Sequence, residues 1–254
     1  MYPLPISLDV YDKTYFSGAD KGFGYVDYDL DKQPMIPVFK KYLEIISSLG
    51  IKKGKLLDVG CATGFFMNIA KDFGFEVYGV EMSDFAAQKG RDAGLNIITG
   101  PLEGSNYPDS HFDVITMCDV LEHVSSPKDV LAEAKRILKK GGVLMVNTPD
   151  SESLWSRLFG SRWHLILPPE HLHYFSPFTL NYYLSNHGFK TMINTKIGKL
   201  FTFQYIFIML YKWQGLKIWQ TMSSFFSKGY FSRFFIPINL YDNFFMILKK
   251  TDEQ

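Results

Sequence analysis

The residues best placed to do chemistry lie in Leu56-Leu57-Asp58-Val59-Gly60-Cys61-Ala62-Thr63-Gly64-Phe65-Phe66. An apolar run, a cluster of small residues and a second apolar run read as strand, tight turn and helix. Small residues let the backbone come close to a ligand. The helix start offers N–H groups to a negative group such as a carboxylate. The next apolar run, Val77-Tyr78-Gly79-Val80-Glu81, ends on a carboxylate about 20 positions after the turn, where it suits two ribose hydroxyls. Together these features point to a nucleoside-type cofactor; a plain strand–turn–helix with a surface Glu81 is the alternative. The turn is Gly60-x-x-x-Gly64, so the dinucleotide pattern G-x-G-x-x-G fails at its second and third glycines.

Histidines supply the other candidate chemistry. His123 closes Asp119-Val120-Leu121-Glu122-His123, just past a predicted strand. His171 and His173 stand in Pro169-Glu170-His171-Leu172-His173-Tyr174-Phe175-Ser176, where an extended segment would turn both the same way. A metal site from Glu170, His171 and His173 is a weak pattern, and none is expected. Cys61 and Cys118 are the only cysteines and lie in no CxxC or Cys/His cluster, so reduced thiols and no zinc framework are expected.

The elements that must hold these residues alternate. A helix is predicted from about Met35 to Leu49, with Ile36, Phe39, Tyr42, Leu43 and Ile46 on one face. Strands are predicted at Lys55–Val59, Glu76–Val80, Leu95–Thr99, Phe112–Cys118 and Val143–Asn147. Helices are predicted at Gly64–Phe73, Asp84–Asp92 with Ser83 as cap, and Pro127 to about Lys139 with Ser126 as cap. Such alternation argues for a parallel sheet covered on both faces. A helix at Pro177–His187 and strands at Phe189–Thr195 and Asn243–Lys249 complete the pattern. One domain over 1–254 is expected, with an amino-terminal arm (1–34), a substrate-side insertion (150–176) and an aromatic, basic helical insertion (199–236).

The 254 residues are 46% hydrophobic and 21% charged with net charge +1, ordinary for a globular protein, and give no sign of nucleic acid binding. No amino-terminal segment reads as a signal peptide, and Leu200 to Tyr211 falls short of the roughly 20 residues of a spanning helix. From Gly198 to Tyr241 there is no Asp or Glu, and Lys199, Lys212, Lys217, Lys228 and Arg233 interleave with aromatics such as Phe207, Trp213 and Trp219. Gln214, Lys217 and Gln220 fall near one face of a helix over Trp213 to Thr221. Such a segment suits an anionic bilayer surface or a lipid substrate; the alternative is a hydrophobic helical pair packed on the core or across a homodimer, the more common use of apolar stripes. The arm carries Tyr11, Tyr15, Phe16, Tyr25 and Tyr28, which either close over the ligand or pack on the surface.

The stretch from Leu56 to Pro149 resembles the class I S-adenosylmethionine-dependent methyltransferases, and within them the quinone-biosynthesis and cell-surface-sugar O-methyltransferases. LLDVGCATGFF, VYGVEMS, NYPDSHFDVITMCDVLEHV (Asn106 to Val124) and ILKKGGVLMVNTP carry the resemblance, in the family's order. It implies a Rossmann-like seven-stranded, mostly parallel sheet with helices on both faces, and S-adenosyl-L-methionine as cofactor, released as S-adenosyl-L-homocysteine. It implies that Asp58, Gly60, Cys61, Ala62 and Gly64 surround the methionine part and that Glu81 binds ribose. Met82 would lie against adenine, with Leu102 and Glu103 on its other side, and Cys118 and Asp119 would stand beside the sulfonium. Ala62 replaces a common Gly, and Pro101 stands where many relatives carry an acidic adenine contact. For methyl transfer to an oxygen, His171, His173 and His123 are the candidate bases or acceptor contacts; a structural or cofactor-side contact is the alternative for His123, and a loop held by its own hydrogen bonds the alternative for His171 and His173. The acceptor implied is a small or lipid-linked sugar or phenol. The setting expected is cytoplasmic, extending to the inner membrane surface. A silent cofactor-binding scaffold and a nucleotide-dependent oxidoreductase are the alternatives.

Overall fold

The computed structural model describes residues 13–16, 27–168, 170–226, 235–238 and 240–251, and every structural statement below concerns those residues. Two short helices come first, α1 (Lys13–Phe16) and α2 (Tyr28–Lys32); Asp27 caps the second by accepting from the N–H groups of Asp29 and Leu30. Pro37 sits in the first turn of α3 (Ile36–Ser48), where a missing N–H breaks no helical bond. Val38, Phe39, Tyr42, Leu43 and Ile46 form its buried stripe. Tyr11 and Tyr25 of the arm lie outside the described residues.

The alternation then runs β1 (Gly54–Val59), α4 (Phe65–Asp72), β2 (Phe75–Glu81), α5 (Asp84–Asp92), β3 (Asn96–Thr99), β4 (Phe112–Cys118), α6 (Pro127–Ile137) and β5 (Leu138–Pro149). Ser83 and Ser126 cap α5 and α6 through their hydroxyls, as their positions predict. The helix α6 stops at Ile137 and not near Lys139. The chain turns straight into β5, because Leu138 already pairs with Phe112 and the His111 N–H donates to the Ile137 carbonyl.

After α7 (Leu154–Phe159) come α8 (Pro177–Ser185), β6 (Phe189–Thr195), β7 (Lys199–Thr202), α9 (Phe203–Gln214), α10 (Lys217–Phe226), β8 (Phe235–Ile238) and β9 (Asn243–Lys250). Seven strands form one sheet in the order β3-β2-β1-β4-β5-β9-β6. Neighbours from β3 to β5 are parallel, and β9 runs antiparallel to both β5 and β6. An antiparallel pair needs no crossover helix, so β6 and β9 can be joined by any excursion that returns to the same edge.

The strand order reverses between β1 and β4. Both faces of the sheet are buried, which is why its strands read as nearly continuous apolar runs. Leu57, Ile115, Leu144 and Met246 pack toward α6 and α8 on one face. Leu56, Val114, Met145 and Phe245 pack toward α3 and α4 on the other.

The insertion over 199–236 is not wholly helical. Its strand β7 pairs antiparallel with β8, and α9 and α10 form a hairpin between them. The break at Gly215 and Leu216 divides the segment Trp213 to Thr221, so Gln214, Lys217 and Gln220 do not share one helix. Phe207 stacks on Trp219 and on Phe226, and Phe203 also stacks on Phe226, so these rings close the hairpin on itself. Leu216, Ile218 and Phe225 remain exposed, with the exposed Lys217 among them. No helix among the described residues is long and apolar enough to cross a membrane. Tyr230, Phe231, Phe234, Lys228 and Arg233 lie outside the described residues.

Gly64, the residue before α4, has φ +81°, and a Cβ there would stand 2.1 Å from Leu95 Cδ1. Gly94 has φ +82° with open space around it. Gly94→Ala therefore meets only the left-handed backbone cost of about 1–2 kcal/mol. Gly64→Ala adds overpacking of about 1–3 kcal/mol. Urea unfolding should show both variants with lowered midpoints and Gly64→Ala clearly the lower; equal midpoints would mean that Leu95 yields freely.

Candidate functional site

The reversal between β1 and β4 opens a crevice at the carboxyl ends of the strands, the usual ligand position in an open α/β sheet. The turn after β1 lines one side. The N–H groups of Gly60 and Cys61 both donate to the Val80 carbonyl, at 2.8 and 3.2 Å, which curls the turn back over β2. A Cβ at Gly60 would meet Val120 Cγ2 at 2.7 Å, so the turn also packs closely on the loop after β4.

Glu81 ends β2 and is 7% exposed. Its Oε2 accepts from the Ala62 N–H at 2.8 Å and its Oε1 from the Ser83 N–H at 2.9 Å. Burial raises its carboxyl above the usual range, and these backbone donors oppose the rise. Asp58, the last residue but one of β1, is 5% exposed and accepts from Thr116 Oγ1 of β4 at 2.6 Å. Burial, together with the nearby Glu81 and against the Thr116 hydrogen bond, pushes its carboxyl up to about 7. Burial likewise pushes the Cys61 thiol well up, so Cys61 is a wall residue and not a nucleophile.

The arm reaches the same turn. Phe16 is buried against Ala62 and Ala86. From α2, Asp29 accepts from the Thr63 hydroxyl and pairs with Lys89 of α5 at 2.7 Å. Met82 is 39% exposed at the rim, Glu103 is exposed, and Leu102 is buried in a single turn of 3-10 helix over Leu102–Gly104.

The loop after β4 lines the opposite side. Asp119 holds a left-handed φ of +55°, uncommon for a residue with a Cβ. The neighbouring strands secure it: its N–H donates to the Asn147 carbonyl, and its Oδ1 accepts from Asn147 Nδ2 at 3.0 Å and from Asn243 Nδ2 at 3.4 Å. The buried Tyr42 hydroxyl, raised by burial and by Cys118 and Asp119, approaches from α3.

The structure does not pair His171 with His173. It brings His171 to His123, with ring centroids 4.7 Å apart, while the His173 ring lies near Phe175. The N–H groups of Leu172 and His173 donate to the Glu122 carbonyl, which pins the second segment to the first. His123 Nδ1 faces the Glu170 carbonyl at 2.9 Å and His171 Nδ1 the Leu165 carbonyl at 2.8 Å. A carbonyl only accepts, so in the neutral ring Nδ1 carries the proton and Nε2 the electron pair. Burial and the neighbouring His171 push His123 down to about 4, so it is neutral at pH 7. Ligand atoms of Glu122, His123 and His171 lie within 4.8 Å of one another, and Thr148 Oγ1 donates to Glu122 Oε2 at 2.9 Å. Two imidazoles oriented by carbonyls and a carboxylate oriented by a hydroxyl form a donor set suited to a divalent cation. This set shares only His171 with the sequence pattern Glu170, His171 and His173; Glu170 takes part through its backbone carbonyl.

Sequence reasoning did not single out Thr116, Glu122, Asn147 or Asn243. Each stands on or beside a strand whose carboxyl or amino end reaches the crevice, and that position was the available signal.

The strand-order reversal, the glycine turn and the carboxylate after β2 define a class: an open α/β protein that binds a nucleoside cofactor at the strand ends. A family model described as a methyltransferase domain matches residues 36–192, more than half of the chain. An uncharacterized protein of Methanocaldococcus jannaschii is 31% identical over 152 residues, covering 60% of this chain and 67% of that protein. A ubiquinone biosynthesis O-methyltransferase of Thiobacillus denitrificans is 29% identical over 133 residues, 49% of this chain, which spans 57% of that relative's length. The crystal structure of an S-adenosylmethionine-dependent methyltransferase from Thermotoga maritima shares the fold, with TM-score 0.54 and 22% identity over 84% of this chain and 89% of that one. The chain belongs to the methyltransferase-domain family, and it shares the fold of S-adenosylmethionine-dependent methyltransferases.

The histidine geometry is open to a direct test with Co2+ as probe. The purified protein should bind Co2+ with visible absorption bands, His171→Ala should lose them, and Thr148→Ala should bind about 10–100-fold more weakly. A protein that takes up neither Co2+ nor Zn2+ would hold the trio purely as a hydrogen-bonded strut between the two loops.

Proposed function

We propose that this protein transfers the methyl group of S-adenosylmethionine to an oxygen of a small or lipid-linked acceptor of sugar or phenol type. The observation that carries the reading is the division of the crevice. The glycine turn, Asp58 and Glu81 form one wall. Asp119, Asn147 and Asn243, with the histidines beyond, form a polar opposite wall. The name of the Thiobacillus denitrificans relative supports oxygen as the atom methylated.

In this reading Asp58, Gly60, Cys61, Ala62 and Gly64 surround the methionine part. Glu81 takes the ribose hydroxyls on the lone pairs its two backbone donors leave over. Met82 lies against adenine, with Leu102 and Glu103 on its other side, and Cys118 and Asp119 stand beside the sulfonium. The arm, anchored through Phe16 and Asp29, acts as a lid that excludes water. Transfer is an in-line attack in which the sulfonium loses its charge as the new bond forms, so alignment and water exclusion are the main tasks. His123 and His171 offer their Nε2 lone pairs as hydrogen-bond acceptors at the acceptor side, and His173 is an acceptor contact.

Calorimetric titration with S-adenosylhomocysteine, with NAD as parallel ligand, tests the cofactor half. Micromolar binding of the first and none of the second is expected. Asp58, held near 7, must ionise opposite the ligand's ammonium group. Its raised value favours the protonated carboxyl in the free protein, so affinity should rise as pH is taken up to about 7 and level off above it. Asp58→Asn should flatten that profile; a profile equally steep in the variant would remove Asp58 from the ligand.

The exposed Leu216, Ile218 and Phe225 beside Lys217 are read as the contact with an anionic bilayer that would present a lipid-linked acceptor at the inner membrane surface. Vesicles with one-third phosphatidylserine should sediment the protein at low salt, and Ile218→Glu with Phe225→Glu should leave it in the supernatant. Retention of the double variant on vesicles would assign the hairpin to packing.

A further inference from the structure

We propose that His164 is the group that takes the acceptor's proton, with Asp242 as the carboxylate that orients it. The proposal rests on the reading that an oxygen acid is methylated in this crevice.

His164 stands on the loop between β5 and α8, its side chain 54% exposed, and its Nε2 lies 3.3 Å from Asp242 Oδ2. Asp242 precedes β9 and is 8% exposed; its Oδ2 is sealed from solvent and makes no hydrogen bond of good geometry among the described residues. A buried carboxylate oxygen needs a compensating partner, and His164 is the cation-forming group that faces it. The 3.3 Å approach is an ion-pair contact without hydrogen-bond alignment; in the proposal a turn of the exposed ring aims Nε2–H at the carboxylate and leaves Nδ1 for the acceptor, the arrangement of a base held by a third group.

Both partners are fixed from behind. The Asp150 N–H donates to the Asp242 carbonyl at 2.7 Å. Lys196 Nζ donates to Asp150 Oδ2 and to the Tyr241 carbonyl, each at 2.7 Å. Tyr241 holds a left-handed φ of +56° to deliver Asp242. On the other side Trp163, 2% exposed, anchors the loop one residue before His164. The pair borders the crevice, because Asn243, the residue after Asp242, reaches Asp119 Oδ1 at 3.4 Å. The loop continues to Leu165, whose carbonyl faces His171 Nδ1.

The three histidines first singled out are less suited to the task. His171 is buried, and the half-buried His123, pushed down by burial and by the neighbouring His171, is a weak base. The His173 ring lies near that of Phe175, and among the described residues no ion pair joins it to a carboxylate.

In the step, an oxygen lone pair of the acceptor forms the bond to the methyl carbon and the carbon–sulfur bond breaks. Its electron pair goes to sulfur, giving neutral S-adenosylhomocysteine. The hydroxyl proton passes to His164 Nδ1, and the imidazolium formed is stabilised by Asp242. Charged groups nearby are Asp242 in contact, Asp150 and Lys196 behind it, and Arg162 two residues earlier in the chain.

The test uses the full chain, S-adenosylhomocysteine and 4-nitrocatechol, a phenol whose ionised form has its own visible absorption. Bound to the wild-type complex, the probe should ionise at lower pH than in buffer, and His164→Gln and Asp242→Asn should each abolish that shift. With S-adenosylmethionine and the same phenol, both variants should lose on the order of 10²-fold in kcat with little change in KM. His187→Gln, an exposed histidine in the turn between α8 and β6, should match wild type in both readouts, and S-adenosylhomocysteine affinity should be unchanged in all. Wild-type behaviour in His164→Gln, or no spectral shift in wild type, would overturn the proposal. Failure of S-adenosylhomocysteine to bind at all would instead defeat the functional reading beneath it.

Discussion

Glu81 holds the crevice together. Its two oxygens accept N–H groups from the turn after β1 and from the loop after β2, so one buried carboxylate fixes two strand ends to each other. The Gly60 and Cys61 N–H groups on the Val80 carbonyl reinforce the same junction from the backbone. A carboxylate this buried is costly unless its lone pairs are occupied, and these donors offset the cost. The arrangement leaves the turn pre-formed and close to its ligand, with the second buried carboxylate, Asp58, one strand away and raised partly by Glu81 itself.

The opposite wall is built on a different principle. Asp119 sits in a left-handed conformation that its own backbone disfavours, and amides from two other strands keep it there. Such strain persists only where the surroundings over-determine it. Beyond Asp119 the histidines divide into two kinds. His171 is buried and His123 half-buried, and both are carbonyl-bound and close to Glu122. His164 is exposed and backed by a carboxylate. The first kind is suited to donating electron pairs from a fixed position, the second to moving a proton.

The tail separates two uses of aromatic residues that look alike in sequence. Phe203, Phe207, Trp219 and Phe226 stack within the helical hairpin, so they supply its internal packing. Among the described residues of the hairpin, Leu216, Ile218 and Phe225 stay exposed around Lys217. Because β9 is antiparallel to β6, the whole excursion can leave and return on one edge without disturbing the sheet.

The sequence by itself determined the alternation of strands and helices, the caps at Ser83 and Ser126, the glycine turn and the carboxylate of Glu81. All of these are local: they follow from apolar period, turn chemistry and a short fixed spacing along the chain. Only the tertiary structure decided which distant groups meet. It set His171 against His123 and not beside His173, Asn243 against Asp119, and Asp242 against His164. It also split the Trp213–Thr221 stretch at Gly215 and Leu216. Those contacts depend on how the segment after β5 folds back across strand ends made far earlier or later in the chain. Side-chain type and spacing carry no record of that return path; the sheet order supplies it.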